Sequence, residues 1–265
     1  MYSYRKAFTM IELILVIVIL GIVASIGSEV IANVYEQYIV QRAQHRASLK
    51  TELATLQIAN RLTGVIPGTL YRIKNDGSYE SVETNLTTTS KNYIGLKWVG
   101  ADVDSFNSSS TPGWSGFCDV NASSKNSIVT RGSNLSSANT IESNLGKASA
   151  SKFAIFFPYD INAYFGSGTS DTITLDNNAS TIYEHYKLAW TSYALVVENN
   201  DLYLYYNFTP TVNADYSNQS KSLLMKNIST FKFRVAGRTI RFKICKQENI
   251  GEDFNITSCK EKAVF

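Results

Sequence analysis

The feature that most constrains this chain is a long apolar run near its N-terminus, residues 8–28, which contains one charged side chain, Glu12. About 20 apolar residues, at a rise of ~1.5 Å each, suffice to cross a hydrocarbon core ~30 Å thick. Arg5 and Lys6 precede the run, and positive residues flanking a membrane helix stay in the cytoplasm. The sequence therefore predicts a single-pass membrane helix with the C-terminal bulk outside the cytoplasm.

Three interpretations of this run differ in how they explain Glu12. A cleaved signal peptide has a shorter apolar region, ~7–15 residues, than the run found here. A plain signal anchor fits the length, but a carboxylate inside the membrane costs roughly 2.5–3.5 kcal/mol without a partner. The third interpretation gives Glu12 a cationic partner within an assembly, which would offset that cost.

Residues 6–13, Lys-Ala-Phe-Thr-Met-Ile-Glu-Leu, resemble the prepilin cleavage and methylation motif of type IV pilins and type II secretion pseudopilins. The resemblance implies that prepilin peptidase cuts between Ala7 and Phe8 and N-methylates Phe8. Glu12 would then be the fifth mature residue, the place of the family's glutamate, and would neutralise the terminal ammonium of a neighbouring subunit. Two departures are Ala7 in place of the usual Gly, and Glu29 where many major pilins have a Pro. The missing Pro favours a minor subunit.

A second helical segment continues directly from the apolar run. Residues 29–61 contain neither Pro nor Gly and are rich in helix formers. One helix from Phe8 to Thr63, ~80 Å long, is therefore predicted. We expect its second half to bury an apolar stripe consisting of Tyr35, Tyr38, Ile39, Leu49, Leu53, Leu56, Ile58 and Leu62. A coiled-coil stalk is the alternative, although the heptad lapses at Arg42 and Arg46.

The rest of the chain, residues 65–265, has the pattern of antiparallel β structure. Turn sequences at 75–77 and 198–201 indicate hairpins. The predicted strands are 70–74, 78–82, 93–99, 152–157, 171–175, 186–197 and 202–208. Residues 104–150, rich in Ser, Asn, Gly and Thr, are predicted to form a long surface insertion, and 223–228 could be helix or strand.

The predicted fold is thus α+β, a long N-terminal helix packed on an antiparallel sheet, which is also the pilin-like fold that the resemblance implies. The expected division is a leader at 1–7, a membrane helix at 8–28, an amphipathic helix at 29–64 and a β-rich domain at 65–265.

A basic hairpin near the C-terminus is the clearest strand signal. Apolar residues at 231, 233, 235, 240, 242 and 244 alternate with basic ones, which predicts one buried and one open face. The bases of the open face and its turn are Lys232, Arg234, Arg238, Arg241 and Lys243. Such a face could bind DNA, be solvated, or contact an acidic partner pilin. This C-terminal segment resembles the larger minor pseudopilins of the J type.

The three cysteines lie in the part of the chain expected outside the cytoplasm, where disulfides persist. Pilin-like domains often staple their C-terminal segment, so we expect a Cys245–Cys259 bridge. A bridge involving Cys118, or three free thiols, are the alternatives. No catalytic motif is recognisable, so an enzyme is not expected, nor is a cofactor or metal site. The acidic loop 248–255 leaves Ca²⁺ binding open as an alternative to simple solvation.

Four Asn-x-Ser/Thr sequons carry an acid two residues before the Asn, namely those of Asn85, Asn121, Asn178 and Asn255. Surface sequons outside the cytoplasm can accept glycans. The preceding acid resembles the bacterial N-glycosylation signal. A chain this rich in Asn, Ser and Thr also generates sequons by chance.

Together these features predict a minor pilin or pseudopilin, a structural subunit that initiates or caps a filament for type II secretion, type IV pili or DNA uptake. The expected partners are prepilin peptidase, other major and minor pilins, and lipid of the bacterial inner membrane. The large domain would be periplasmic or part of the assembled filament. One alternative is a pilus-tip binding module, either a DNA-uptake receptor or an adhesin, that uses the basic face. The other alternative is a plain membrane-anchored periplasmic protein.

Overall fold

The computed structural model describes residues 9–82, 93–107, 110–147, 152–237, 239–251 and 254–265. The predicted long helix is present as α1, Met10–Leu62, about 80 Å long at ~1.5 Å per residue. Thr9 caps it by accepting a hydrogen bond from the Glu12 backbone N–H. Two shorter helices follow, α2 at Val103–Phe106 and α3 at Leu135–Asn144. The predicted first helical residue, Phe8, lies outside the described residues.

Fourteen strands in the described part of the chain form three antiparallel sheets. Their bounds are β1 Tyr71–Lys74, β2 Tyr79–Ser81, β3 Tyr93–Gly100, β4 Ser127–Val129, β5 Phe153–Phe156, β6 Tyr164–Ser167, β7 Thr172–Leu175, β8 Lys187–Ala189, β9 Thr191–Glu198, β10 Asp201–Phe208, β11 Ser220–Met225, β12 Ile228–Ala236, β13 Thr239–Asn249 and β14 Asn255–Val264. The central sheet has the order β11-β10-β9-β3-β1-β2, the C-terminal sheet β12-β13-β14, and the insert sheet β4-β7-β6-β5-β8. The α+β architecture is therefore confirmed.

The main core lies where the second half of α1 meets the central and C-terminal sheets. Helix residues such as Ile58 and Leu62 pack there with Trp98 and Leu195 of the central sheet and Phe242 of the C-terminal sheet. Burying apolar side chains stabilises this junction by roughly 1.5–3 kcal/mol for each large residue. The N-terminal half of α1 contributes nothing to this core.

Small residues form most of the buried stripe of α1, which corrects the sequence prediction. The buried positions are Ala47, Thr51, Ala54, Thr55, Ile58, Ala59 and Leu62. Of the predicted stripe only Ile58 and Leu62 are buried; Tyr35, Tyr38, Ile39, Leu49, Leu53 and Leu56 are exposed. Small side chains allow the sheets to approach the helix closely, because the separation of packed elements follows side-chain size. The two threonine hydroxyls are satisfied by donating to backbone carbonyls one turn earlier, at 2.7 Å.

A 90-residue insert interrupts the central sheet. Strands β3 and β9 are hydrogen-bonded neighbours, with Gly100 opposite Thr191, yet residues 101–190 lie between them in sequence. We call residues 101–190 the insert. It has its own core, built from Trp114, Cys118, Ile128, Leu135, Phe153, Ile155, Phe157, Tyr164, Ile173, Leu175, Ala179, Tyr186, Leu188 and Trp190.

The prediction that residues 104–150 form a surface insertion was only partly right. This segment does belong to an insertion, but three of its large apolar residues, Trp114, Ile128 and Leu135, are buried in the insert core. A sparse set of apolar residues can fill a core when loops bring them together, which composition alone does not reveal. The predicted strand 186–197 is likewise two strands, β8 and β9, which belong to different sheets and join at Trp190.

The insert sits against the C-terminal end of α1. The Ala101 N–H donates to the Gly64 carbonyl at 2.7 Å, and the Ile66 N–H donates to the Val99 carbonyl at 3.0 Å. A small apolar cluster joins the insert sheet to this junction: Ile66, Val99, Ala154, Phe156 and Ala189. The insert therefore lies at the end of the long helix that is opposite to the apolar run.

Both predicted hairpin turns are confirmed, since β1 pairs with β2 and β9 pairs with β10 across them. The ambiguous segment 223–228 is strand β11 for most of its length, with β12 beginning at Ile228. Three strands, β4, β6 and β14, were not predicted. Of these β14 matters most, because it completes the sheet that packs on α1.

Candidate assembly segment and basic face

The first half of α1 is an apolar helix that no other described part of the chain packs against. All residues from 9 to 39 are exposed, and large apolar side chains such as Ile11 and Ile31 are 75% and 71% accessible. Among the described residues, α1 is the helix long and apolar enough to cross a membrane, and its most apolar window is entirely unburied. A helix that is apolar all round requires lipid or other protein around it. We call residues 10–39 the assembly segment.

Glu12 lies in the first turn of the assembly segment. Its backbone N–H is 3.4 Å from the Thr9 hydroxyl, and its carboxylate forms no ion pair with any residue that the structure describes. A carboxylate in the first turn is stabilised modestly by the helix dipole. That term is smaller than the cost of placing a carboxylate in lipid, so a membrane-embedded Glu12 would also require a cation. Ala7 and Phe8, the predicted cleavage pair, lie outside the described residues, so cleavage and methylation remain predictions.

An exposed leucine stripe extends the apolar surface onto the folded half of α1. Leu49, Leu53 and Leu56 stand at spacings of four and three, which places them on one helix face. They lie opposite the small-residue stripe, and Leu53 is 59% exposed. Next to them Glu52 forms an exposed ion pair with Lys260 of β14 at 3.1 Å, a contact between the helix and the C-terminal sheet that contributes little to stability. The stripe is a second apolar surface available to other subunits.

The basic residues of the last hairpin are brought together as predicted. In the β12–β13 register Lys232 faces Lys243 and Arg234 faces Arg241, and all four are exposed. Glu261 of β14 faces Lys243 and approaches Arg241, with 3.7 Å between Oε1 and Nε. Like charges directly opposite on neighbouring strands destabilise a sheet. Glu261 partly offsets the repulsion between these bases. Arg238, the fifth predicted base, lies outside the described residues.

The predicted disulfide is confirmed. Cys245 and Cys259 are direct partners in the β13–β14 register and are bonded, with a Cα–Cα distance of 4.0 Å. Cys118 is a free thiol buried in the insert core, and burial raises its pKa. It is therefore a packing residue rather than a reactive thiol. Both alternative cysteine arrangements are excluded.

A buried ionisable cluster in the insert was not predicted. Glu142 of α3 is inaccessible to solvent, and one of its carboxylate oxygens binds the Lys147 ammonium, while the other has no partner within the described part of the chain. Burial raises the pKa of Glu142 to about 7, against the lowering effect of Lys147. The neighbouring Asp102 carboxyl also has its pKa raised by burial. Glu142 lies in α3, and Lys147 follows five residues later, beyond the end of the helix. No sequence motif marks such a pair, so it could not be predicted from sequence.

A cleft of about 680 Å³ opens between the end of α1, the central sheet and the insert. Its wall includes Trp98, Trp190 and Tyr193, and the Arg61 guanidinium lies over the Tyr193 ring at 5.2 Å. No sequence signal marks this cleft, because its residues come from distant parts of the chain.

The described residues contain no candidate metal site. No group of three or more His, Cys, Asp or Glu within these described ranges is placed to hold a metal ion. His45 and His185 are both exposed, and His185 stacks edge-on against Phe117. In the acidic loop considered for Ca²⁺, residues 252–253 lie outside the described ranges.

Comparison with known protein families identifies the N-terminal segment. Residues 2–28 match the model described as the prokaryotic N-terminal methylation motif, which characterises the type IV pilin and pseudopilin class. The motif implies processing by prepilin peptidase and assembly with other pilins, and it fits a membrane-anchored pilin. Searches of curated proteins and of solved structures found no match.

Proposed function

We propose that this chain is a minor pilin or pseudopilin that initiates or caps a filament of the type II secretion or type IV pilus kind. It would be a structural subunit rather than an enzyme, as proteins with this motif are. The observation that carries the proposal is the combination of the methylation motif with an assembly segment that is exposed along its whole length. An exposed apolar segment of this kind would be surrounded by lipid before assembly and by neighbouring subunits after it.

The maturation step follows from the same residues. Prepilin peptidase would cut after Ala7 at the inner membrane and methylate Phe8, leaving the body in the periplasm. Glu12 would then pair with the N-terminal ammonium of an adjacent subunit, in a filament core from which water is excluded. Breaking a buried ion pair by removing one partner costs about 3–5 kcal/mol, so this contact would govern assembly.

A terminal position in the filament is supported by the place of the insert. If the assembly segments form the filament trunk, the C-terminal end of α1 points away from the membrane, and the insert lies at that end. A 90-residue mass there would occupy space that the next subunit needs. The resemblance of the C-terminal strands to J-type pseudopilins, and the absence of Pro at position 29, agree with a minor role.

Copy number tests the terminal position. Filaments of different mean length can be isolated without shearing, and the ratio of this chain to the major subunit can be measured by quantitative mass spectrometry. A capping or initiating subunit occurs a fixed number of times per filament in unsheared preparations, so its ratio should fall as filaments grow longer. A ratio that is independent of filament length would mean that the chain is distributed along the trunk, and the terminal role would be wrong.

The second candidate is a tip-located binding module, a DNA-uptake receptor or adhesin, and the four exposed bases of the C-terminal sheet favour DNA. Replacing Lys232 and Arg234 by Gln should weaken binding to double-stranded DNA and lower the slope of log affinity against log salt by about 2. The control variant replaces the exposed Lys125 and Lys226, which removes the same charge elsewhere. Equal losses in both variants would indicate only a general charge effect and would reject a DNA-binding face.

A further inference from the structure

Nine Asn-x-Ser/Thr sequons occur in the chain, and four of them carry an acid two residues before the Asn. For two of these four the whole sequon and its acid are described, Asp119 with Asn121 and Asp176 with Asn178. Both belong to the insert. The other five sequons, at Asn107, Asn134, Asn207, Asn218 and Asn227, lack the acid and so provide controls within the same molecule.

Both candidate asparagines are presented for modification. Asn121 and Asn178 are exposed and lie outside helices and strands. Neither amide has a hydrogen-bond partner within the described ranges. In contrast, two of the sequons that lack the acid use the Asn side chain structurally. Asn134 caps α3 by accepting from the Ser137 N–H, and the Asn207 amide donates to the Gly146 carbonyl.

The two sequons are neighbours in space as well as alike in sequence. The Ala179 N–H donates to the Lys125 carbonyl at 2.8 Å, and the Leu175 N–H donates to the Asn126 carbonyl at 2.8 Å. These bonds hold the loop of Asn178 against the turn that follows Asn121. Ala179 is buried and anchors its loop, while Asn178 before it and Ser180 after it remain exposed.

The acid before each Asn is accessible to a basic recognition pocket, since Asp176 is exposed and Asp119 is half-buried. Asp119 pairs with Arg131 at 2.8 Å, and Asp176 pairs with Lys152 at 2.5 Å. Exposed pairs of this kind contribute little to stability, so each carboxylate could exchange its present partner for a cation on an enzyme. A carboxylate that already pairs with a cation in this structure could pair in the same way with a basic residue of an enzyme that recognises it.

We propose that Asn121 and Asn178 are N-glycosylated by a bacterial oligosaccharyltransferase that reads the carboxylate two residues before the Asn. The donor class is an oligosaccharide joined through pyrophosphate to a polyisoprenyl lipid. The Asn Nδ2 forms a bond to C1 of the first sugar as the bond from C1 to the phosphate oxygen breaks. The polyisoprenyl pyrophosphate leaves, and the amide loses one proton. This inference rests on the proposed location of the body outside the cytoplasm.

Glycans at these positions would mark the adjoining surface of the insert as facing solvent in the filament. Each would be far larger than the side chain that carries it, so no neighbouring subunit could pack over that edge. The surfaces left for subunit contacts are then the assembly segment and the leucine stripe of α1.

Peptide and intact-mass spectrometry of protein extracted from its native membranes tests the proposal. We expect a mass above that of the polypeptide, with glycan on the peptides containing Asn121 and Asn178. Replacing either Asn by Gln should remove one increment, whereas Asn134→Gln should remove none. Asp176→Asn should abolish the modification at Asn178, but Lys152→Ala, which removes the same ion pair and keeps the acid, should leave it in place.

Two results would overturn the proposal: recovery of both peptides wholly unmodified, or glycan on Ser or Thr instead of Asn. Retention of full glycan occupancy at Asn178 in Asp176→Asn would reject recognition through the acid. The same spectra report the N-terminal residue. A chain that begins at Phe8 with bare asparagines contradicts this inference alone, whereas a chain that retains Met1 contradicts the proposed function.

Discussion

Residues 10–39 of α1 are exposed on every side, whereas residues 47–62 bury a stripe of small side chains between two sheets. The backbone is one continuous helix, and the two halves differ in what they contact. The fold of the body depends only on the second half. The first half contributes no buried residue to it, and in the proposed function its apolar side chains and Glu12 contact lipid and other subunits. Substitutions in the two halves should therefore have separable effects.

The largest expected effect is on assembly. Glu12→Gln preserves size and removes the charge, so the ammonium of a neighbouring subunit would lose its counter-ion at a cost of about 3–5 kcal/mol. We expect co-purification with partner pilins to fall at least a hundredfold, while membrane level and the melting temperature of the body stay unchanged. Glu29→Gln, in the same exposed half, is the matched control and should assemble normally.

Assembly of Glu12→Gln at the wild-type level would mean that charge pairing is not what Glu12 provides. Loss of the protein from the membrane would instead assign Glu12 to insertion.

In the second half of the helix the expected effect is on stability. Ile58 is 1% exposed, and Ile58→Ala should lower the free energy of unfolding by about 2–5 kcal/mol through lost burial and a residual cavity. Thermal unfolding followed by circular dichroism measures the change, and processing at Phe8 should be unaffected. Leu53→Ala, on the exposed face five residues earlier, should leave stability within about 0.5 kcal/mol. Similar losses for both variants would contradict the assignment of the buried stripe.

The disulfide should affect the body alone. It closes a loop with a sequence separation of 14, for which chain entropy gives a stabilisation of about 3 kcal/mol. Replacing Cys245 and Cys259 together by Ser should therefore lower body stability by up to that amount and speed hydrogen exchange in β13 and β14. Membrane insertion should remain normal. Unchanged exchange in these strands would show that the bridge is dispensable for the C-terminal sheet.

The smallest expected effect is a pH dependence within the insert. Because burial raises the folded pKa of Glu142 to about 7 from an unfolded value near 4.5, the folded chain binds more protons between these values. The contribution of Glu142 to the free energy of unfolding should be largest below pH 4.5, and about 1–3 kcal/mol of it should be lost as the pH rises through 7. Denaturant unfolding at pH 5 and 7.5 measures the fall.

The variant Glu142→Gln tests the origin of that fall. Gln resembles the protonated carboxyl that Glu142 carries at pH 5, so stability at pH 5 should change little, and the difference in stability between pH 5 and 7.5 should shrink. An unchanged difference would assign the pH dependence to other groups.

The parts of the fold that follow a short-range period could be predicted from sequence. The long helix, the turn at Asn75–Gly77 and the alternating basic hairpin each depend on neighbours within a few residues, and each is observed. Large apolar residues suggested the wrong stripe on α1, because on this helix they serve an outer surface while Ala and Thr make the close contact. Burial reflects what packs against a residue, which the residue's own polarity does not determine.

The insert and the sites within it depend on long-range arrangement. Nothing local indicates that β3 and β9 are neighbours across 90 residues, or that Glu142 meets Lys147 in a dry environment. The candidate assembly residue Glu12, in contrast, could be predicted from sequence because its signal is local. Glu12 interrupts an apolar run, and a charge in that context is visible without any knowledge of the fold.

The identity of the mature N-terminus tests the central claim most directly, since an assembly segment of this kind requires its leader to be removed. Intact-mass and N-terminal peptide analysis of the membrane-extracted protein should give a chain that begins at Phe8 and carries one N-methyl group. A mature chain that begins at Met1, or one cut after Ser25 within the apolar run, would contradict the account.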